Sequence, residues 1–236
     1  MWIKICANTN LDDAQMAAEL GADAVGFVFA PSRRRVTAKE VAQITPHLPA
    51  SVERIGVFDS LYAEEIAAAV REAGLTAVQL HGGGELVLAK RLNELFEGKV
   101  RIIQTVHWAV EAGGENAKAV RQRLDAIEAG RIIERVLIDS KVGQATGGTG
   151  VSFDWAAARD VLQGGGGRLK MIVAGGLRPD NVTEAITQLN PWGVDVASGV
   201  EKSPGRKDPE KLREFIRNAR AAKSTDVEAK KIDDQR

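Results

Sequence analysis

Eight short apolar runs, each followed by a stretch of helical period, leave this chain few folds to choose from. The runs lie at 2–7, 23–30, 53–59, 77–82, 100–106, 135–140, 170–175 and 193–199. The helical patterns lie near 11–20, 37–47, 62–73, 84–96, 114–129, 152–163, 180–189 and 208–222. Strands that alternate with helices pair in parallel, and a parallel strand covered on both faces is apolar throughout. Eight such units predict a closed (β/α)8 TIM barrel of the α/β class. A doubly wound sheet more usually has fewer strands and a glycine-rich turn after the first, but here that turn is Ala7-Asn8-Thr9-Asn10.

At 236 residues the chain suits one large domain, and no stretch has the composition of an interdomain linker. Gly164-Gly165-Gly166-Gly167 separates a helix from the next strand within the same alternation, so it reads as a long αβ turn away from the chemistry. Asp180 and Ser152 each stand where a helix cap is expected, with Glu184 near the first turn of the former. A single barrel domain is therefore expected over 1–222. Residues 223–236 are polar without an apolar stripe and are expected to form a frayed tail.

Lys+Arg and Asp+Glu balance at 32 each, so no global charge points to nucleic acid, a membrane surface or a polyanionic partner. Any anion site must be local. Cys6 is the single cysteine, which excludes an intramolecular disulfide and fits a reducing compartment. With no basic leader and no apolar run of bilayer length, a cytoplasmic protein is expected.

In such barrels the reactive groups stand at the C-terminal ends of strands. The run Arg135-Val136-Leu137-Ile138-Asp139 ends four apolar residues on a carboxylate, which packing alone does not explain. Cys6 ends the first strand and His81 the fourth, Gly175-Gly176 follows the seventh and Ser198-Gly199 the eighth. Two glycine-bearing turns on adjacent strands suit a phosphate dianion. Lys4 and Cys6 are two apart, hence on one face, and an ammonium beside a thiol favours the thiolate. His81 shares a face with Gln79 and is either a hydrogen-bond donor into the site or a structural histidine. One arginine of Arg33-Arg34-Arg35 could clamp a carboxylate at the mouth. His47 and His107 have no matching neighbours, and neither metal-ligand spacing nor a nucleotide fingerprint occurs.

Taken together, Lys4-Ile5-Cys6, Ser32-Arg33-Arg34-Arg35-Val36, Gln79-Leu80-His81-Gly82 and Leu137-Ile138-Asp139-Ser140 resemble the phosphoribosylanthranilate isomerase family of tryptophan biosynthesis. Gly147-Gly148-Thr149-Gly150, Ala174-Gly175-Gly176-Leu177 and Val194-Asp195-Val196-Ala197-Ser198-Gly199-Val200-Glu201 extend the likeness in order across roughly 3–216. The resemblance implies a (β/α)8 barrel that performs an Amadori rearrangement on a small phosphorylated substrate without cofactor or metal, as monomer or homodimer. It implies Cys6 as general base, Asp139 as general acid and Arg34 at the anthranilate end. His81 and Asp195 correspond to further pocket residues, and Gly175, Gly176, Ser198 and Gly199 to the phosphate loops. The chemistry needs an Asp139 that stays protonated near neutrality and an activated Cys6, with the Gly147–Gly150 loop closing over the substrate. Ala7 departs from the family's usual glycine, which puts rate in question more than reaction type, and the glycines at 82–84 loosen the loop after His81. Two other readings are another sugar-phosphate isomerase or epimerase barrel, in which Cys6 would lose its role, and a non-catalytic phosphate-binding barrel.

Overall fold

The strands pair edge to edge until the last meets the first. In a computed structural model, which describes residues 1–82, 85–109, 113–142, 145–146, 158–159 and 168–233, they are β1 (Trp2–Ile5), β2 (Ala24–Val28), β3 (Glu53–Phe58) and β4 (Ala77–Leu80). β5 (Arg101–Ala109), β6 (Arg135–Val142), β7 (Lys170–Ala174) and β8 (Gly193–Val196) complete the set. Each is parallel to its neighbours, β1 pairs with both β2 and β8, and β6 pairs with β5 to close the ring. This is the expected barrel.

The period of two along each strand divides the apolar residues between two cores. Outward-facing Ile3, Ile5, Val25, Phe27, Val136 and Ile138 pack with helix residues such as Ile66, Leu92 and Leu212. Inward-facing Trp2, Ala24, Ile55, Ala77, Ile103, Leu137 and Ile172 fill the barrel. At the base of this plug Trp2 stacks on Trp192 with centroids 5.1 Å apart, and the Arg135 guanidinium lies over both rings. Arg135 also pairs with Glu53 at 2.6 Å, which satisfies its charge at the closed end.

The described helices begin and end where local chemistry requires. Asn10 caps Leu11–Glu19 by accepting from the Asp13 amide, and Thr37 with Glu40 forms a capping box at Ala38–Ala42. The expected 37–47 helix stops early and resumes as a 3-10 turn at Thr45–His47, because Pro46 has no N–H to continue the α ladder. Gly74 ends Ala63–Ala73 in the left-handed conformation. Asp180 is not the cap of Val182–Leu189: Asn181 holds that position, and Asp180 instead accepts from the Arg178 side chain. The last helix is Pro209–Asp233 and runs on through the stretch from 223. Lys, Ala and Glu are strong helix formers, and no Gly or Pro interrupts them there. Ser152, the 152–163 helix, the 164–167 glycines and the Gly147–Gly150 loop lie outside the described residues.

Removing Arg135 takes one of two guanidinium partners from the half-buried Glu53, which keeps Arg101, and takes the cation that Trp2 and Trp192 share. We expect Arg135→Ala to lower unfolding stability by about 1–2 kcal/mol in chemical denaturation.

Candidate active site

Above the apolar plug the same inward positions turn polar. Lys4 of β1, Gln79 of β4, Thr105 of β5, Asp139 of β6 and Asp195 of β8 are all buried. The β1–β8 register places Lys4 beside Asp195, and Lys4 Nζ donates to Asp195 Oδ1 at 3.0 Å and to Gln79 Oε1 at 2.9 Å. Gln79 Nε2 passes the chain on to Thr105 Oγ1 at 3.2 Å. Gln79, Asp139 and Asp195 of this layer line the floor of a cavity of about 550 Å³.

Nine of the candidates singled out in the sequence line that one cavity: Cys6, Arg34, His81, Asp139, Asp195, Gly175, Gly176, Ser198 and Gly199. Most stand just past the strand ends rather than on the strands, because the backbone turns there. Ala7 has φ 61°, and Gly175 and Gly176 have φ 90° and 65°. Ala7 thus occupies a left-handed turn that glycine adopts without penalty and that costs alanine about 1–2 kcal/mol. The turn persists regardless, held by Asn8, whose side chain donates to the carbonyls of Ile5 and Gly26. Gly26 makes the room that Cys6 needs, since a Cβ there would stand 2.8 Å from Cys6 Sγ.

The two reactive candidates share an electrostatic neighbour. Burial, helped by the negative charge of Asp195 and opposed by Lys4, pushes the Asp139 carboxyl up to about 7. No hydrogen bond from a described residue holds that carboxyl in its ionised form. Burial also raises the Cys6 thiol above its ordinary range, so the thiolate preference expected from Lys4 alone is overruled. Lys4 does pull the thiol down, but its charge is already committed to Asp195, which pushes the thiol up. Lys4 itself stays protonated: burial disfavours its charge, but Asp195 and Cys6 outweigh burial.

Several partners were not legible in the sequence. Arg34 is locked by Glu201, with Nε donating to both carboxylate oxygens at 2.9 and 3.0 Å and Nη2 donating to Oε2 at 2.7 Å. Buried Lys207, on a hairpin of Glu201–Ser203 with Arg206–Lys207, donates to the Cys6 carbonyl at 2.6 Å and reaches Glu201 at 3.4 Å. His107, which has no neighbour of its kind in sequence, lies edge-on to His81 with ring centroids 4.8 Å apart. The hidden signal was strand register, which aligns His107 with Asp139 across β5 and β6.

Residues 3–218 match the N-(5'phosphoribosyl)anthranilate (PRA) isomerase family. The chain belongs to this family. It is 41% identical over 222 residues to the N-(5'-phosphoribosyl)anthranilate isomerase of Thermotoga neapolitana, spanning 92% of this chain and 98% of that one. The crystal structure of phosphoribosyl anthranilate isomerase from Thermotoga maritima superposes with a TM-score of 0.79 at 33% identity, over 94% and 99% of the two chains. A family structure in complex with reduced 1-(o-carboxyphenylamino)-1-deoxyribulose 5-phosphate superposes at 0.76 with 32% identity, over 94% of this chain and 99% of that one. The barrel that the resemblance implied, and the family itself, are therefore established.

Within this isomerase-family pocket burial raises both reactive candidates most, and Asp195 is the charge that adds to it in each. In Asp195→Asn the carboxylate that takes up the Lys4 charge is gone, and the thiol feels more of that charge. The pH midpoint for alkylation of Cys6 by iodoacetamide is expected to fall by about one unit or more. An unchanged midpoint would remove Asp195 from control of the thiol.

Proposed function

We propose that this pocket converts N-(5-phosphoribosyl)anthranilate to 1-(2-carboxyphenylamino)-1-deoxyribulose 5-phosphate, the isomerisation of tryptophan biosynthesis, with Asp139 as general acid and Cys6 as general base. The observation that carries the assignment is the shared cavity: a buried carboxyl and a buried thiol line the same walls as the glycine turns after β7 and β8. A carboxyl raised to about 7 retains a proton to give at neutral pH.

The steps follow from these groups. Asp139 protonates the ribose ring oxygen as the bond from that oxygen to carbon 1 breaks, and the anthranilate nitrogen lone pair forms a protonated imine. That cation acidifies the carbon-2 hydrogen, which the Cys6 thiolate removes, and the electron pair becomes the carbon 1–carbon 2 double bond. The enolamine then loses its hydroxyl proton and gains one at carbon 1, giving the ketone. Burial holds both side chains in their neutral forms, so the reactive pair of acid and thiolate is a minority of the free enzyme. Lys4 is the buried cation that supports it.

Arg34 suits the anthranilate carboxylate. Nε and Nη2 are spent on Glu201, which orients the guanidinium and leaves Nη1 to meet the ligand. His81 and Asp195 line the same walls, while Gly175, Gly176, Ser198 and Gly199 suit the phosphate. All these residues come from one chain, so a monomer or a homodimer would serve. A free catalytic thiol suits the reducing cytoplasm, and balanced charge gives no reason for nucleic-acid or membrane binding.

With N-(5-phosphoribosyl)anthranilate as substrate and its fluorescence decay as the readout, Cys6→Ala and Asp139→Asn should each lower turnover by at least ~100-fold. Near-normal turnover in either removes that residue from the mechanism. Arg34→Ala should raise KM by ~10-fold or more with a smaller change in kcat, on the scale of a charge-assisted hydrogen bond. An unchanged KM would sink the clamp.

Asp139 also predicts a pH effect on stability. Its native pKa lies near 7, above its ordinary value of 3.8, so between those values the folded state keeps a proton that the unfolded chain has released. Native stability therefore falls as pH rises towards 7, and Asp139→Asn escapes that cost. The variant should gain about 1–3 kcal/mol more stability over wild type at pH 8 than at pH 5, read by denaturant titration.

A further inference from the structure

Three strand ends that follow one another around the barrel bring together two imidazoles and a carboxylate. His81 follows β4, His107 is on β5 and Asp139 on β6, and one ligand atom from each lies within 4.8 Å of the other two. Both histidines are half-buried in the cavity wall, and Asp139 is buried. His107 Nε2 lies 3.1 Å from the His81 carbonyl oxygen. A carbonyl can only accept, so Nε2 carries the hydrogen and Nδ1 carries the lone pair. A ring nitrogen tied to a backbone carbonyl is how a metal-binding histidine is held in one tautomer.

We propose that His81, His107 and Asp139 form a site for a borderline divalent transition ion of the Zn²⁺ class. Two imidazoles and one carboxylate suit zinc, cobalt or nickel, whereas magnesium and calcium prefer all-oxygen shells. A tetrahedral zinc with bonds near 2.0–2.2 Å sets its ligand atoms about 3.4 Å apart. The cluster therefore has to contract by up to about 1.4 Å, within the swing of half-buried imidazoles. The fourth position opens on the cavity, where water or a substrate oxygen would complete the shell. Lys4, the buried cation of the floor, pairs with Asp195, so an ion at Asp139 displaces only the proton that burial keeps on that carboxyl.

The ion would act as an inhibitor, not a cofactor. A carboxylate bound to metal cannot deliver a proton, so an occupied site and an acidic Asp139 exclude each other. Only this consequence rests on the isomerase reading; the binding itself is independent of it.

Binding is tested without substrate, by competing Zn²⁺ between the protein and a chromophoric chelator and by the visible spectrum of the Co²⁺ adduct. The expected result is one ion per chain with a micromolar or tighter Kd and no competition from millimolar Mg²⁺. His107→Ala, His81→Gln and Asp139→Asn should each weaken Zn²⁺ at least tenfold, whereas His47→Ala and Cys6→Ala should not. Circular dichroism shows that each variant is folded, and the near-isosteric Asp139→Asn serves even if the histidine variants are not. Millimolar or weaker binding, unaltered affinity in His107→Ala, or loss in Cys6→Ala instead would overturn the proposal. In the turnover assay Zn²⁺ should inhibit and a chelator should restore the rate. If Zn²⁺ binds with this variant pattern but the protein does not turn over the substrate, the isomerase reading fails and the metal site stands.

Discussion

The pair of Lys4 with Asp195 is the interaction on which the polar half of this barrel depends. It joins the first strand to the last. An ammonium fully removed from water is tolerated only beside a carboxylate and further acceptors, and Asp195 with Gln79 supplies them. Such a pair contributes little net stability, because desolvation offsets most of the Coulombic attraction. What it sets is the field felt by Cys6 and Asp139, the two groups nearest the chemistry.

The barrel interior separates packing from reactivity by height. Apolar side chains from Trp2 to Ile172 fill the lower layers, and Arg135 with the stacked indoles seals the base. The polar layer then sits on a floor that excludes water, which is why a carboxyl there can hold a proton near neutrality. Above it, turns rather than strands carry the ligand-facing groups. The left-handed backbone at Ala7, Gly175 and Gly176 is what redirects the chain there.

The fold was readable because its signal is local and repeated. Eight apolar runs of strand length, each followed by a helical period, have few solutions once crossovers must be right-handed and both sheet faces covered. The misses have local causes too. Pro46 cut a helix whose apolar pattern ran through it, and Asn181 displaced Asp180 as the cap.

The sequence by itself determined which residue types are present at the strand ends: one thiol, one carboxylate after four apolar residues, and glycines after the last two strands. These follow from periodicity and composition, which are properties of the chain alone. Tertiary structure decided the charges and partners: that Lys4 belongs to Asp195 more than to Cys6, that Arg34 is held by Glu201, and that His107 meets His81 and Asp139. Those outcomes depend on register between strands far apart in sequence and on how deeply each group is withdrawn from water. No linear spacing encodes either one.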